Sequence, residues 1–350
     1  MLVAVVSFNL AQRKDPLLSA LAAASAAAPF DVLAVAVQEL APFAEQMRRS
    51  HATRLSPAMR RIVAAFDSEL AGAAACVAAL EHGAVGLAVW ARPSACPAQP
   101  PIHAKTGLGP LALSSKAAVA VALRLGSSST VAFVSAHLPA GTGPAADRAR
   151  NRAFWDAAAR LHFAGRSLLD CHSVFFAGDL NYRAGLSASF ADDGLRRAMR
   201  CNAAFPAFTE PAVAFRPTYK LLASGAYDPR RTPAWCDRIL TYTRHNPAAP
   251  PTSDDSSASI TCLRYWSLPI AGSDHLPVYA RFRLDLPHLS NHDHHPDTPV
   301  ITDPLLREYH LALGFVADRA AGTAHYLLTD PAALLLLLAV LAAILLLMTT

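Results

Sequence analysis

The sequence predicts a layered α/β domain, and three observations predict it. Short runs of apolar β-formers, such as Leu2 to Phe8, Val32 to Val37 and Val174 to Phe176, carry no polar alternation, as expected of strands buried on both faces. The first two flank an Ala-rich helical stretch, which gives the strand–helix–strand order of a layered α/β unit. Run after run then ends in a polar residue, and in such folds residues at strand ends gather on one rim.

Taken in order, Leu2 to Phe8 is a strand that ends in Asn9. Asp15-Pro16 starts a helix, a capping acid before Pro in the first turn, that runs to about Ala28. Val32 to Val37 is a second strand, ending in Gln38-Glu39. Pro42 to Leu70 reads as one helix carrying Arg48, Arg49, Arg54, Arg60 and Arg61, a solvated basic face. Strands follow near Ala73–Leu80 and Val85–Ala91, then a loop punctuated by Pro and Gly from Pro93 to Pro110. Ala117–Leu125 and Thr130–Ala136 form a hairpin that ends in His137, and a helix runs from about Pro144 to Ala164.

The stretch His172 to Arg183 is the most informative. Its buried strand breaks at Gly178 and sets down Asp179, Asn181, Tyr182 and Arg183 within five residues. Side chains two apart in extended chain point the same way, which would place the Asp179 and Asn181 oxygens side by side for a hard cation or an activated water. A hairpin turn is the competing reading of the same residues. Asp237 to Tyr242, Ile260 to Trp266 and Leu276 to Leu284 complete the strands, with Asn246–Ser259 as a surface loop.

The polar strand-end residues are Asn9, Glu39, His137, Asp179 with Asn181, Asp237, and Asp274 with His275. They offer carboxylates and amides for a cation and two histidines for proton transfer. Arg183, Lys220 and Arg238 add charge for an anion. No GxSxG elbow, Walker-type Gly-x4-Gly-Lys or Cys-x5-Arg loop competes. The six cysteines include no C-x-x-C pair and read as reduced thiols. Net charge is +5, which suits an anionic partner without choosing one. Metal-assisted attack of water on a phosphate ester is the chemistry these residue types imply.

Four blocks make a resemblance specific: FFAGDLNYR, FTEPAVAFRPTYK (Phe208 to Lys220), TPAWCDRIL (Thr232 to Leu240) and SDHLPV (Ser273 to Val278). They resemble the signature blocks of the inositol polyphosphate 5-phosphatases, within the exonuclease–endonuclease–phosphatase superfamily. Ser7-Phe8-Asn9, Gln38-Glu39, the stretch Phe133 to Leu138 and Arg150-Asn151 stand where that family has corresponding motifs, so the resemblance covers about residues 2 to 284.

The resemblance implies a four-layer α/β/β/α sandwich of two mixed sheets flanked by helices. It implies Mg²⁺ ligated by Glu39, with Asn9 nearby and Asp274 beside the metal. Asp179 and Asn181 would surround the phosphate and attacking water, Asp237 would pair with His275, and His137 would donate to a phosphate oxygen. The base for the water is either Asp179 or His275. Lys116, Tyr182, Arg183, Tyr219, Lys220 and Arg238 are the implied substrate-binding residues. The implied substrate is a phosphoinositide, phosphatidylinositol 4,5-bisphosphate or the 3,4,5-trisphosphate, and not nucleic acid. A nuclease or sphingomyelinase of the superfamily, or an inositide-binding protein without turnover, are the alternatives. The family's Gly-Asn-Lys-Gly stretch is Ser114-Ser115-Lys116-Ala117 here, which keeps the lysine and loses both glycines.

Three parts are expected: a catalytic domain over 1–285, a polar linker over 286–331 and an anchor over 332–348. The linker includes a His-rich tract, His288 to His295, read as solvated spacer. The anchor, Ala332 to Met348, is an uncharged apolar run about 26 Å long as a helix, enough for a thin bilayer. With only Thr349 and Thr350 after it, the expectation is a tail-anchored protein with its domain in the cytosol, at the endoplasmic reticulum.

Overall fold

The computed structural model describes residues 1–12, 16–43, 45–46, 54–109, 111–125, 129–184, 189–244, 258–270, 272–286 and 304–329. The expected membrane span, the His-rich tract, Arg48, Arg49 and most of the loop 246–259 lie outside these residues. Among the described residues no helix is long and apolar enough to cross a membrane.

Two mixed sheets face each other. The first takes β1 (Leu2–Asn9), β2 (Val32–Gln38), β3 (Ala75–His82), β4 (Val85–Ala91), β12 (Ser259–Ser267) and β13 (Val278–Asp285), in the order β12-β13-β1-β2-β4-β3. The second takes β5 (Ile102–Leu108), β6 (Leu113–Leu125), β7 (Ser129–His137), β10 (Ser173–Asp179) and β11 (Asp237–Thr243), in the order β11-β10-β7-β6-β5. In each sheet one central pair is parallel, β1 with β2 and β7 with β10. A two-strand ribbon, β8 (His162–Phe163) with β9 (Arg166–Ser167), stands apart.

Strand parity explains why these segments read as continuously apolar. Val3 and Val5 of β1 point between the sheets, against Val119, Val121, Phe133, Phe175 and Phe282. Ala4, Val6 and Phe8 point outward onto α1 (Pro16–Ala26) and α2 (Pro57–Leu70). On the far side, Val134, Val174 and Phe176 pack under α3 (Gly143–Arg160) and α4 (Gly194–Arg200). Every central strand is therefore covered on both faces, as a helix–sheet–sheet–helix stack requires.

Several sequence expectations need correcting. The helix expected over Pro42–Leu70 is interrupted: Phe43, Glu45 and Gln46 are helical, with the Gln46 amide donating to the Pro42 carbonyl at 2.9 Å, and a separate helix begins at Pro57, because Ser56 is its N-cap, in extended backbone with its hydroxyl accepting from Met59 N. Buried Glu81 accepts in turn from the Ser56 amide and hydroxyl, which fixes that start. The expected loop Pro93–Pro110 contains β5, an edge strand whose mixed residues His103, Lys105 and Thr106 hide its pairing with β6. The short helix α4 had no sequence signal long enough to register. In the expected linker lies a helix, α5 (Pro304–Thr329), which packs against β6 and β5.

Candidate active site

The polar strand ends do converge. Asn9 closes β1, Glu39 follows β2, and His137 and Asp179 close β7 and β10. Asp237 opens β11, but β11 runs antiparallel to β10, so Asp237 sits directly opposite Asp179 in the register. On the next strand over, Asp179 pairs with His137. This junction requires Gly178, because a Cβ there would lie 1.9 Å from the Ala136 carbonyl oxygen.

Asp179 is buried at the centre. Its Oδ2 accepts from Asn9 Nδ2 at 2.9 Å and lies 3.4 Å from His137 Nε2 and 3.8 Å from His275 Nε2. Its Oδ1 accepts from the Asn181 amide at 3.0 Å. Burial alone would raise the Asp179 pKa, but the cationic groups around it, His275 foremost, hold the carboxyl below its usual range. Asn9 Nδ2 also reaches Glu39 Oε1 at 3.3 Å. Glu39 adopts φ +54°, an uncommon backbone for a residue other than glycine.

Asp237 and His275 form the second unit. His275 Nδ1 lies 2.7 Å from Asp237 Oδ2, which also accepts from the Thr218 hydroxyl at 2.7 Å. Burial opposes charge on His275, yet Asp237 and Asp179 together raise its pKa to about 9, so it is an imidazolium at neutral pH. The ring therefore serves proton chemistry better than metal ligation, although Asp179, Asp237 and His275 lie close enough to share an ion. His137 is the opposite case. Burial first, and then Lys116, depress its pKa to about 3. Its Nε2 lies 2.6 Å from Lys116 Nζ, whose own pKa burial lowers although Asp179 and Glu39 oppose the shift.

A rim surrounds this centre. The Arg183 guanidinium stacks 4.1 Å over the Tyr219 ring, which lies 4.7 Å from the His275 ring, and Arg183 donates to Asn181 Oδ1 at 2.7 Å. Lys220 Nζ lies 3.3 Å from Asp274 Oδ2.

Four expected site residues sit differently from the sequence reading. Arg238 is fully buried: its guanidinium donates to Asp193 at 3.0 Å, to the Trp235 carbonyl at 3.1 Å and to Glu210. Neighbours in a strand face opposite ways, so with Asp237 turned to the site Arg238 must turn away. Tyr182 is likewise in the core, its hydroxyl donating to Asn151 Oδ1 at 2.6 Å beneath the Arg150 guanidinium. Asp274 is tied to Lys220 and, among the described residues, has no hydrogen bond to Asn9, Glu39 or Asp179. Asn181 does not continue the strand: at φ +56° it turns back, and its Nδ2 holds the Leu138 carbonyl at 3.1 Å. In place of the side-by-side oxygens expected from strand parity, the Asn181 backbone amide braces Asp179 Oδ1 and its side-chain amide braces the Leu138 carbonyl just past β7.

Two supporting residues escaped the sequence reading. Thr218 bridges to Asp237, and the Ser273 hydroxyl donates to the Asn9 carbonyl at 2.7 Å while accepting from the His275 amide at 3.1 Å. Both stand inside blocks already singled out, PTYK and SDHLPV, which was the available signal.

The donor set fits a divalent cation. Carboxylate oxygens of Glu39 and Asp179 converge on one small group, the Asn9 amide, within 3.3 and 2.9 Å. An all-oxygen set of this kind suits a hard ion. Burial pushes the Cys236 thiol pKa well up, so that thiol does not compete as a nucleophile.

Comparison with known proteins identifies the family. The family model described as endonuclease/exonuclease/phosphatase family 2 matches residues 6–281. The chain belongs to that family. Within it the resemblance to inositol polyphosphate 5-phosphatases holds. The chain is 32% identical over 202 residues to the polyphosphatidylinositol phosphatase INP53 of Saccharomyces cerevisiae, covering 51% of this chain and 16% of that protein. It is 31% identical over 201 residues to inositol-1,4,5-trisphosphate 5-phosphatase 1 of Schizosaccharomyces pombe, covering 52% and 17%. The matched part is thus about a sixth of the length of these relatives. The fold matches the crystal structure of the inositol polyphosphate 5-phosphatase domain of SPsynaptojanin, a complex with inositol (1,4)-bisphosphate and calcium ion. That likeness has a TM-score of 0.67 and 22% identity over 91% of both chains.

Proposed function

We propose that this chain is a Mg²⁺-dependent phosphatase that removes the 5-phosphate from phosphatidylinositol 4,5-bisphosphate, the 3,4,5-trisphosphate, or both. The observation that carries the reading is the meeting of three units at one strand-end cluster: the carboxylates Glu39 and Asp179 on Asn9, the Asp237–His275 ion pair, and Lys116 against His137. The names of its relatives support an inositol phosphate as substrate.

Held by Glu39 and Asp179, the cation would polarise a phosphoryl oxygen and acidify a bound water. The chain's own residues supply the rest. Asp179 is held ionised and His275 protonated, which supports Asp179 as the acceptor of the water's proton. The water oxygen bonds to phosphorus in line as the bond to the inositol oxygen breaks, and the leaving oxygen takes up a proton from the His275 imidazolium. Lys116 donates from the His137 side, and the Arg183–Tyr219 stack with Lys220 offers cations to a neighbouring phosphate. The apolar run 332–348 would hold the domain against lipid on the cytosolic face of the endoplasmic reticulum, raising the local concentration of a lipid substrate.

Phosphate release across a panel of inositides, with and without Mg²⁺, tests the reading. Release from 5-phosphorylated inositides alone, abolished by Asp179→Ala in protein that stays folded, is expected. Turnover retained in Asp179→Ala, or release only from apurinic DNA or sphingomyelin, overturns it.

A further inference from the structure

The C-terminal helix touches the catalytic domain at one functionally placed point. Asp318 of α5 is buried, and its Oδ1 accepts from the Ser114 amide at 3.0 Å. One helical turn earlier, Gly314 lies against the Ala112 carbonyl so closely that a Cβ would sit 2.7 Å from its oxygen. Near the helix end, the His325 ring meets Phe43 edge-on at 5.3 Å. Ser114 stands two residues before Lys116 on β6, so both side chains lie on one face of that strand.

The β5–β6 turn is held from the other side as well. Arg160 of α3 donates to the Gly107 carbonyl at 3.1 Å, and Asp156 accepts from the Gly109 amide at 3.0 Å. Gly83, in the β3–β4 turn, closes on the Ser114 carbonyl, where a Cβ would lie 2.2 Å from the oxygen. The start of β6 is thus clamped by α3, by the β3–β4 turn and by α5. Of these three, only α5 comes from outside the stretch 6–281 that the family model matches. Here too the backbone carries Ser115 and Ala117 in place of the family's Asn and Gly.

We propose that Asp318 is a positioning residue for Lys116, so that the docked C-terminal helix sets the Lys116–His137 contact and, through it, the rate of the reaction. The proposal rests on the phosphatase reading only for its kinetic consequence. Its structural consequence is independent of activity. A lysine amine that must meet an imidazole nitrogen tolerates little strand displacement, since about 1 Å of misplacement costs up to about 100-fold. In sequence α5 is followed by the apolar run 332–348, so the helix that meets Ser114 is also the segment that precedes that run.

The experiment uses the full chain in detergent micelles with a soluble inositol phosphate, which removes any effect of lipid access. Asp318→Asn keeps an acceptor oxygen, Asp318→Ala removes it, and Gly314→Val pushes the helix from Ala112 while leaving Asp318 in place. Expected is a fall of about tenfold in kcat with KM little changed for Asp318→Ala and Gly314→Val, and near wild-type kinetics for Asp318→Asn. In metal-free protein, the His137 ring ¹⁵N resonances should shift in the first two variants and not in Asp318→Asn. Thermal melting checks that each variant is folded, and Gly314→Val carries the test should Asp318→Ala not be. An unmoved His137 signal in both displaced variants overturns the proposal. So does an equal loss in Asp318→Asn and Asp318→Ala. A wild-type chain that releases no phosphate overturns the phosphatase reading, while the His137 resonance still decides the role of Asp318.

Discussion

Lys116 Nζ lies 2.6 Å from His137 Nε2, a cation set against a neutral ring at the edge of the Asp179 site. Burial depresses the His137 pKa most, and Lys116 is the next cause, which together bring it to about 3. Lys116→Met keeps the bulk and removes the charge, so the His137 pKa should rise while burial keeps it below the ordinary 6.5 or so. Side-chain ¹⁵N spectra across pH read this directly, and an unchanged titration would refute the contact. Phosphate release should fall by about 10²–10³-fold, the size of losing one donor to developing charge. The sign for stability follows as well. A histidine with a depressed folded pKa loses stability as pH falls below about 6.5 toward 3, because the unfolded chain takes the proton first. Lys116→Met narrows that acid window from below.

The Asp237–His275 pair works in the other direction. A folded pKa of about 9 against an ordinary value near 6.5 means that stability from charging His275 is complete below pH 6.5 and is lost as pH rises through 9. In Asp237→Asn the imidazolium loses its principal partner, so this alkaline decline should disappear. Denaturant titrations at pH 6 and pH 9.5 measure it, with a wild-type difference of at most ~3 kcal/mol from this group. A decline of the same size in the variant would show that another group carries it. Activity should fall too, because the amide no longer fixes the ring's charge and tautomer.

Arg238 is predicted to matter for folding and not for substrate. Its guanidinium is enclosed by Asp193 and Glu210, so Arg238→Ala leaves these two poorly hydrated carboxylates without their cation. Breaking such a pair from one side costs about 3–5 kcal/mol. The expected result is a large drop in melting temperature, with KM near wild type in whatever folded protein remains at low temperature. A stable variant with a strongly raised KM would return Arg238 to the substrate.

The contrast between Asp237 and Arg238 shows what was legible in the sequence. Strands buried on both faces announce themselves as unbroken apolar runs, so β1, β2, β7 and β10 were readable, and so was the polar group each delivers. Parity also states which side a polar residue takes: Arg238, next to Asp237 on β11, turns away from the site. Tyr182 and Asn181 were harder, because the chain leaves the strand after Asp179, and the parity rule stops where Asn181 turns to positive φ. An edge strand such as β5 shows one face to solvent and spreads its signal over mixed residues. The docking of α5 includes close contacts at Gly314 and Asp318, and no periodicity reports those.

The metal assignment yields the sharpest discrimination among the acidic residues. Glu39 and Asp179 converge on Asn9, whereas Asp274 faces Lys220. A cation bound only by the folded chain stabilises it by about 2.7 kcal/mol at 100 times its Kd. For a domain of this size that corresponds to a rise of roughly 5 °C in melting temperature. Titrating Mg²⁺ into metal-free protein should produce such a rise, and EDTA should reverse it. Glu39→Gln should remove most of the shift, since it takes away one of the two charges that draw the ion. Asp274→Asn should retain it, because its carboxylate is spent on Lys220. A shift lost in Asp274→Asn and kept in Glu39→Gln would move the ion to the other side of His275 and would leave Asp179 as proton acceptor alone, no longer a ligand.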